Sequence, residues 1–338
     1  MLTGAIVFLI MGFAVLIYSA DCLVRGALAA AYKSNVSPLL VGIVIVGFGT
    51  SLPEFFISAQ AALNESAGLA HGNIIGSNIA NILLVLALPA LIFPIATDAP
   101  RMRVTALFML LSTAAWIGVS MYFGLTQIVG IIFIVVLVAY AIIAWSIART
   151  DTTEDTKEEL AIMATPAWRM VMLILIGLVG MPLGSRLLVD GGISLGDELG
   201  ASETIVGLTI LAVGSSLPEL GASIAAAVRK QSDVAMGNIL GANIFNILGA
   251  GGVVAILAPR AQLSPEFTAF SHWAMAAAAI LVTIVIFLHR RVGVLTGLIF
   301  LLGYAVYLYG LWANWSLEGL GDLIVQSAGQ TADQIGAN

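Results

Sequence analysis

The sequence predicts an all-α polytopic membrane protein: ten transmembrane helices arranged as two inverted five-helix repeats. Three observations predict it. Hydrophobic residues make up 60% of the 338 and charged residues only 9%, at a mean hydropathy of +1.06, whereas a soluble domain carries about 25% charged residues. One stretch occurs twice without a gap. GTSLPE (Gly49 to Glu54) and GNIIGSNIANIL (Gly72 to Leu83) return as GSSLPE (Gly214 to Glu219) and GNILGANIFNIL (Gly237 to Leu248). The offset is 165 throughout (219 − 54), pairing Ser37 with Ser202, Gly42 with Gly207, Asn73 with Asn238 and Asn81 with Asn246. A repeat this long means two equivalent halves. Third, Lys and Arg divide so unevenly between the loops that the halves must enter the membrane in opposite senses.

Cutting the chain at its polar clusters leaves apolar spans at roughly 3–27, 37–62, 70–96, 103–123, 126–148, 168–190, 202–227, 234–258, 268–288 and 293–314. Each holds about 20 residues or more, as a ~30 Å hydrocarbon core requires. Backbone groups in lipid need internal partners, so spans of this length are helices. The first span begins apolar, with no basic n-region and no small-residue cleavage site, and reads as a transmembrane helix rather than a removed signal peptide. Residues 1–148 form the first repeat and 168–314 the second. Between them, 149–167 contains RTDTTEDTKEEL and reads as a charged cytoplasmic linker. Residues 315–338 are polar and acidic and read as an extracytoplasmic, partly disordered tail. The lone Cys22 excludes a disulfide within the chain and reads as a packed thiol. The tryptophans fall mostly near span ends and read as interface anchors.

Ten spans leave nine loops. The odd-numbered loops and their borders hold Lys33, Arg101, Arg103, Arg149, Lys157, Arg169, Arg229, Lys230, Arg290 and Arg291; the even-numbered loops hold only Arg260. The positive-inside rule puts the odd loops in the cytoplasm and both termini outside. Each half contains an odd number of spans, so the repeats are inverted. Inverted repeats with interrupted helices around a midplane site are the architecture of alternating-access transporters. Asp21 and Arg25 are spaced i, i+4, and their equivalents Arg186 and Asp190 swap the signs; both pairs read as structural salt bridges.

The motifs place one glutamate in the middle of an apolar span in each half, and an intramembrane carboxylate is a functional-site hypothesis by default. Pro53 lacks an amide hydrogen, and Gly47 and Gly49 tolerate unusual backbone angles. The helix should break there and free carbonyls near Gly47 to Thr50. Thr50, Ser51 and Glu54 lie within about one turn, so their oxygens can converge with those carbonyls. The second half supplies Ala212 and Gly214 for backbone, then Ser215, Ser216, Pro218 and Glu219. Asn73, Ser77 and Asn81 share one helix face, as do Asn238, Ala242 and Asn246. Carbonyl, hydroxyl and carboxylate oxygens are hard ligands and suit Ca²⁺ or Na⁺. Two facing carboxylates repel unless a cation lies between them, so ions competing for them give a simple physical basis for counter-transport. His71, just before the second motif, reads as a solvated or helix-end histidine.

GTSLPE with GNIIGSNIANIL, repeated inversely, resembles the α-repeats of the cation/Ca²⁺ exchanger (CaCA) superfamily, and most closely the prokaryotic sodium/calcium exchangers with ten transmembrane helices. The likeness covers both halves and implies the sodium/calcium exchanger fold. It implies a Na⁺/Ca²⁺ antiporter working by alternating access in the cytoplasmic (inner) membrane, with spans 1 and 6 sliding as a gate past the other eight. The family's ligands fall on Thr50, Ser51, Glu54, Ser77 and Asn81, and on Ser215, Ser216, Glu219 and Asn246. Glu54 and Glu219 would bind Ca²⁺ directly, with backbone oxygens of Gly47 and Ala212 completing neighbouring Na⁺ sites. Two departures matter. Ala242 stands where the family usually has serine, so one hydroxyl ligand is missing. Asn246 stands where some relatives carry an aspartate linked to K⁺ transport, which tilts the reading toward K⁺ independence.

The competing reading is an antiporter using the same site with H⁺ coupling or another cation. A channel would need a continuous polar pore, whereas the polar residues here cluster at mid-span; a packing-only role leaves the two glutamates unexplained. The expected partners are Ca²⁺, Na⁺ and the lipid bilayer. No nucleic acid, cofactor or enzymatic activity is expected, and one chain suffices for the site.

Overall fold

The computed structural model describes residues 2–64, 66–148, 165–198, 214–259, 270–289 and 291–313. It is all-helical apart from one two-stranded ribbon. The helices are α1 (Leu2–Ser34), α2 (Pro38–Thr50), α3 (Leu52–Leu63), α4 (Gly68–Ile92), α5 (Met102–Phe123), α6 (Gln127–Ala148), α7 (Ala167–Glu198), α8 (Leu217–Val228), α9 (Ser232–Leu257), α10 (His272–Leu288) and α11 (Val294–Trp312). Among the described residues, seven helices are long and apolar enough to cross a membrane, and α2 with α3, bent by 43°, would make an eighth span. α8 and α10 are shorter apolar helices. Every span expected from the sequence therefore contains a described helix, although the count of long ones falls short of ten. The N-terminal part of the seventh expected span, together with Ser202, Gly207 and Ala212, lies outside the described residues.

The 165-residue offset reappears in backbone geometry. Ser51 interrupts α2 and α3 at φ −84°, ψ 5°, and Ser216 precedes α8 at φ −92°, ψ 6°. α3 and α8 are both 12 residues long and end on Asn64 (φ −88°, ψ 15°) and Arg229 (φ −81°, ψ 4°). π-helical turns recur at Asn81–Val85 in α4 and at Phe245–Ala250 in α9. Such turns leave helical hydrogen-bond register locally and are frequent at functional sites.

Burial sorts the helices into core and periphery. In α4 and α9, 78% and 83% of the most apolar window is buried, against 17–33% in α1, α5, α6, α7 and α11. The two motif-bearing helices are therefore the centre, and the others present apolar faces outward, as membrane helices do. α9 crosses α2 at its π-helical segment Gly42–Gly47 with almost no side chain between the backbones. A Cβ added at Gly42 would lie 2.8 Å from the Val234 carbonyl oxygen, and one at Gly47 would lie 2.7 Å from that of Asn238. Only glycine permits this approach.

At one end of the molecule β1 (Ile95–Ala96) pairs antiparallel with β2 (Arg291–Val292), and Thr97 Oγ1 donates to the His289 carbonyl at 2.7 Å. The loop after α4 and the loop after α10 thus share one face, as two odd-numbered loops should.

Three sequence expectations are corrected. His71 is fully buried rather than solvated, with its ring centroid 5.7 Å from that of Trp116. Trp116 is itself buried in the core and is no interface anchor, because α5 leans on Phe133 of α6 and on α4 at that level. Arg229 is more than a loop cation: it reaches back to α1 and pairs with Asp21. Cys22 is packed, as expected.

Gly42→Val should lower the thermal unfolding midpoint in detergent by the equivalent of about 2–3 kcal/mol, since overpacking against backbone cannot relax. Gly76→Ala, where an added Cβ meets nothing within 4 Å, should leave the midpoint unchanged or slightly raised.

Candidate functional site

Both glutamates sit in the first turn of a short helix immediately after a break, Glu54 in α3 and Glu219 in α8. Pro53 and Pro218 tolerate this position because a first-turn amide has no intrahelical partner. The positive end of the helix dipole favours an anion there, which lowers the cost of placing a carboxylate among apolar residues. Glu54 is 1% exposed and Glu219 not at all.

Each motif-bearing partner helix grips its glutamate's helix through one asparagine. Asn73 Nδ2 donates to the Glu54 carbonyl at 3.0 Å and to Ser58 Oγ at 2.9 Å. Asn238 Nδ2 donates to the Glu219 carbonyl at 3.0 Å and to Ser223 Oγ at 2.8 Å. Ser58 and Ser223 were missed in the sequence, although a serine four residues after each glutamate was a readable signal.

The halves meet through two further bonds. Thr50 Oγ1 donates to Asn238 Oδ1 at 3.2 Å, and Ser51 Oγ donates to Glu219 Oε1 at 2.9 Å. Ser51 occupies the N-cap position of α3, yet its hydroxyl crosses to the other half instead of capping its own helix. Ser51 stands three residues before Glu54 and is bonded to Glu219 Oε1, so the two carboxylates share one neighbourhood. Phe48, Phe55 and Phe245 wall one flank, with centroids 4.9 Å (Phe48–Phe245) and 5.9 Å (Phe55–Phe245) apart.

What remains is a set of buried polar atoms without a hydrogen-bond partner: both carboxylate oxygens of Glu54, Oε2 of Glu219, Oγ of Ser77 and Ser216, and the side-chain amides of Asn81 and Asn246. An unsatisfied buried group costs about 1–3 kcal/mol, and here they gather on the same four helices. Two carboxylates with neutral hydroxyl and amide oxygens form a hard donor set suited to a cation such as Ca²⁺ or Na⁺. Among the described residues no group of three or more His, Cys, Asp or Glu side chains is placed to hold a metal ion.

The expected site residues are placed as follows. Thr50, Ser51, Glu54, Ser77, Asn81, Ser216, Glu219 and Asn246 are all buried. The Gly47 carbonyl accepts from Ser51 N at 3.3 Å and is the alternative acceptor, at the same distance, for the single Thr50 hydroxyl hydrogen. Ser215 is only half-buried, and Ala212 lies outside the described residues. The Gly214 carbonyl accepts from Ser185 Oγ of α7 at 2.6 Å. Ala242 is fully buried in the second half and brings no hydroxyl where the first half has Ser77.

The family model described as sodium/calcium exchanger protein matches residues 4–146 and again 169–313. The CaxA protein of Alkalimonas amylolytica is 36% identical over 318 residues, covering 92% of this chain and 99% of its own length. The inner membrane protein YrbG of Escherichia coli (strain K12) is 38% identical over 260 residues, 74% of this chain and 79% of its own. Among solved structures, the sodium-calcium exchanger NCX_Mj soaked with 10 mM Na⁺ and zero Ca²⁺ superposes with a TM-score of 0.79 at 29% identity, covering 92% of this chain and all of that one.

Asn73→Leu and Asn238→Leu each remove two hydrogen bonds to the helix of a glutamate, and the second also removes the partner of Thr50. Both should lower the unfolding midpoint by about 1–3 kcal/mol of stability, with Asn238→Leu the more costly, as thermal melts of the two variants side by side would show.

Proposed function

This chain belongs to the sodium/calcium exchanger protein family, and on that premise we propose that it is a secondary antiporter exchanging Na⁺ for Ca²⁺ across the cytoplasmic membrane by alternating access. The observation that carries the proposal is the set of buried, unpartnered oxygens around Glu54 and Glu219. Ca²⁺ placed between the two carboxylates is neutralised by them, with Thr50, Ser51, Ser77, Asn81, Ser215, Ser216 and Asn246 supplying neutral oxygens nearby. Na⁺ ions take overlapping positions among the same groups, including the backbone oxygens of Gly47 and Ala212. Because the carboxylates are shared, the two cations exclude each other. With neither bound, two bare negative charges face one another in a low-dielectric interior, and that cost opposes passage of the empty carrier.

In this reading the ten spans form two inverted repeats, both termini are extracytoplasmic, and the chain works as a monomer. α1 and α7 form the moving gate, and the remaining helices hold the site. The likeness to the sodium-calcium exchanger NCX_Mj and to an inner membrane protein of Escherichia coli supports both the ions and the membrane.

The test is ⁴⁵Ca²⁺ uptake into proteoliposomes loaded with Na⁺, with K⁺, or with a pH gradient. Uptake should require the outward Na⁺ gradient; uptake driven by the pH gradient alone would replace the proposal with H⁺ coupling. Glu54→Gln and Glu219→Gln should each reduce uptake by at least about 100-fold, beyond the ~10–100-fold typical of groups behind a metal's direct ligands. Ala242→Ser restores the missing hydroxyl and should steepen the Na⁺ dependence of uptake, read as a higher Hill coefficient at unchanged Ca²⁺ half-saturation.

A further inference from the structure

α1 and α7 pack backbone to backbone along their length. A Cβ added at Gly184 would lie 2.6 Å from the Leu16 amide nitrogen, one at Gly177 2.8 Å from the Leu23 Cα, and one at Gly26 2.9 Å from the Ile174 amide nitrogen. Backbones in contact at three levels leave little room for one helix to shift past the other. Toward the motif helices, by contrast, α7 offers side chains: Leu178 lies over Gly49 and Val189 over Gly214.

Among the described residues two polar contacts moor this pair to α8 and the turn before it. Arg229, the residue that ends α8, donates from Nε to Asp21 Oδ1 at 2.6 Å, and its Nη2 pairs with the same oxygen. Ser185 Oγ donates to the Gly214 carbonyl at the other end of the same motif. Asp21 has a second, looser partner in Arg25, whose Nη1 is 3.7 Å from Asp21 Oδ2.

The first half can form neither mooring. Subtracting or adding 165 takes Asp21 to Arg186, Arg229 to Asn64, Ser185 to Ala20 and Gly214 to Gly49. Ala20 has no hydroxyl to donate, and Asn64 carries no charge to oppose Arg186. Arg186 instead pairs with Asp190 on its own helix at 3.8 Å, with 82% of its side chain exposed.

We propose that Asp21 and Arg229 form a latch that holds the α1–α7 pair on α8 in the state seen in the structure, and that Arg25 takes over Asp21 when the latch opens. This rests on the alternating-access reading above. If the motion exchanges the roles of the two halves, the opposite state has Arg186 facing Asn64 and no ion pair. The two access states are then unequal in energy despite the repeat. Arg25 keeps the Asp21 charge compensated while the pair moves, which an isolated aspartate in a membrane helix would otherwise make costly. Since α8 carries Glu219 in its first turn and Arg229 at its end, the latch and the ion site share one short rigid element.

The experiment uses the full chain in proteoliposomes. In a Cys22→Ala background, Asp21→Cys with Arg229→Cys is bridged by a short bis-methanethiosulfonate. Exchange should stop on bridging and return on reduction, which also shows that the variant is folded. In a second arm, Asp21→Asn and Arg229→Gln should each shift the ratio of half-saturating Ca²⁺ on the two membrane faces by about five- to tenfold, a modest bias on a two-state equilibrium. The double variant should shift it no further than either single one, and Arg186→Gln should shift it less than about twofold, its pair being exposed. A bridged protein that still exchanges at the unbridged rate, an unchanged ratio in both single variants, or a double shift equal to the sum of the two would overturn the latch. Absence of Na⁺-driven uptake in the wild type would instead strike the antiport reading itself.

Discussion

Two carboxylates buried in one neighbourhood of an apolar protein are the constraint on which the rest depends. Neither Glu54 nor Glu219 reaches water in the structure, and only one of their four oxygens has a hydrogen-bond partner. Charges in that position must be neutralised. Helix dipoles and one serine hydroxyl contribute part of what is needed, and on the proposed reading the transported cation supplies the remainder. Cargo and counter-ion are then the same species, which makes the loaded and empty protein unequal in the way an exchanger requires.

The surrounding architecture serves to hold those groups still. α9 and α2 meet backbone to backbone through glycines, so the two halves cannot drift apart by a side chain's width. Asn73 and Asn238 clamp the helices that bear the glutamates, each with the same two acceptors in each half. The symmetry is incomplete where it bears on function. Ser51 is bonded to Glu219 while Ser216 is left without a partner, and Thr50 is bonded to Asn238. Among the described residues the polar ties of α1 and α7 to α8 and the turn before it have no counterpart in the first half. A duplicated scaffold with unequal ties can favour one of two related arrangements.

Much of this was legible in the sequence because its physical signals were strong. Apolar length marked the helices, the gap-free repeat marked a backbone pattern that occurs twice, and a glutamate beside a proline in an apolar span marked the candidate site and its helix break. Ser58 and Ser223 were not read as partners of the site, although each stands at a fixed spacing after its glutamate. The role of Arg229 was not legible, since composition places an arginine at a helix end without saying which distant helix it reaches. The same holds for His71 and Trp116, whose burial follows from how α4, α5 and α6 pack and not from their own segments. Local pattern reports faces and breaks; long-range partners come only from packing.

The central claim is that Glu54 and Glu219 together hold one cation that Na⁺ can displace. Isothermal titration of the detergent-solubilised protein with Ca²⁺, at several fixed Na⁺ concentrations, tests it most directly. The account predicts one Ca²⁺ per chain, with apparent affinity falling as Na⁺ rises and no binding heat in Glu54→Gln. Two independent Ca²⁺ sites, or an affinity indifferent to Na⁺, would contradict it.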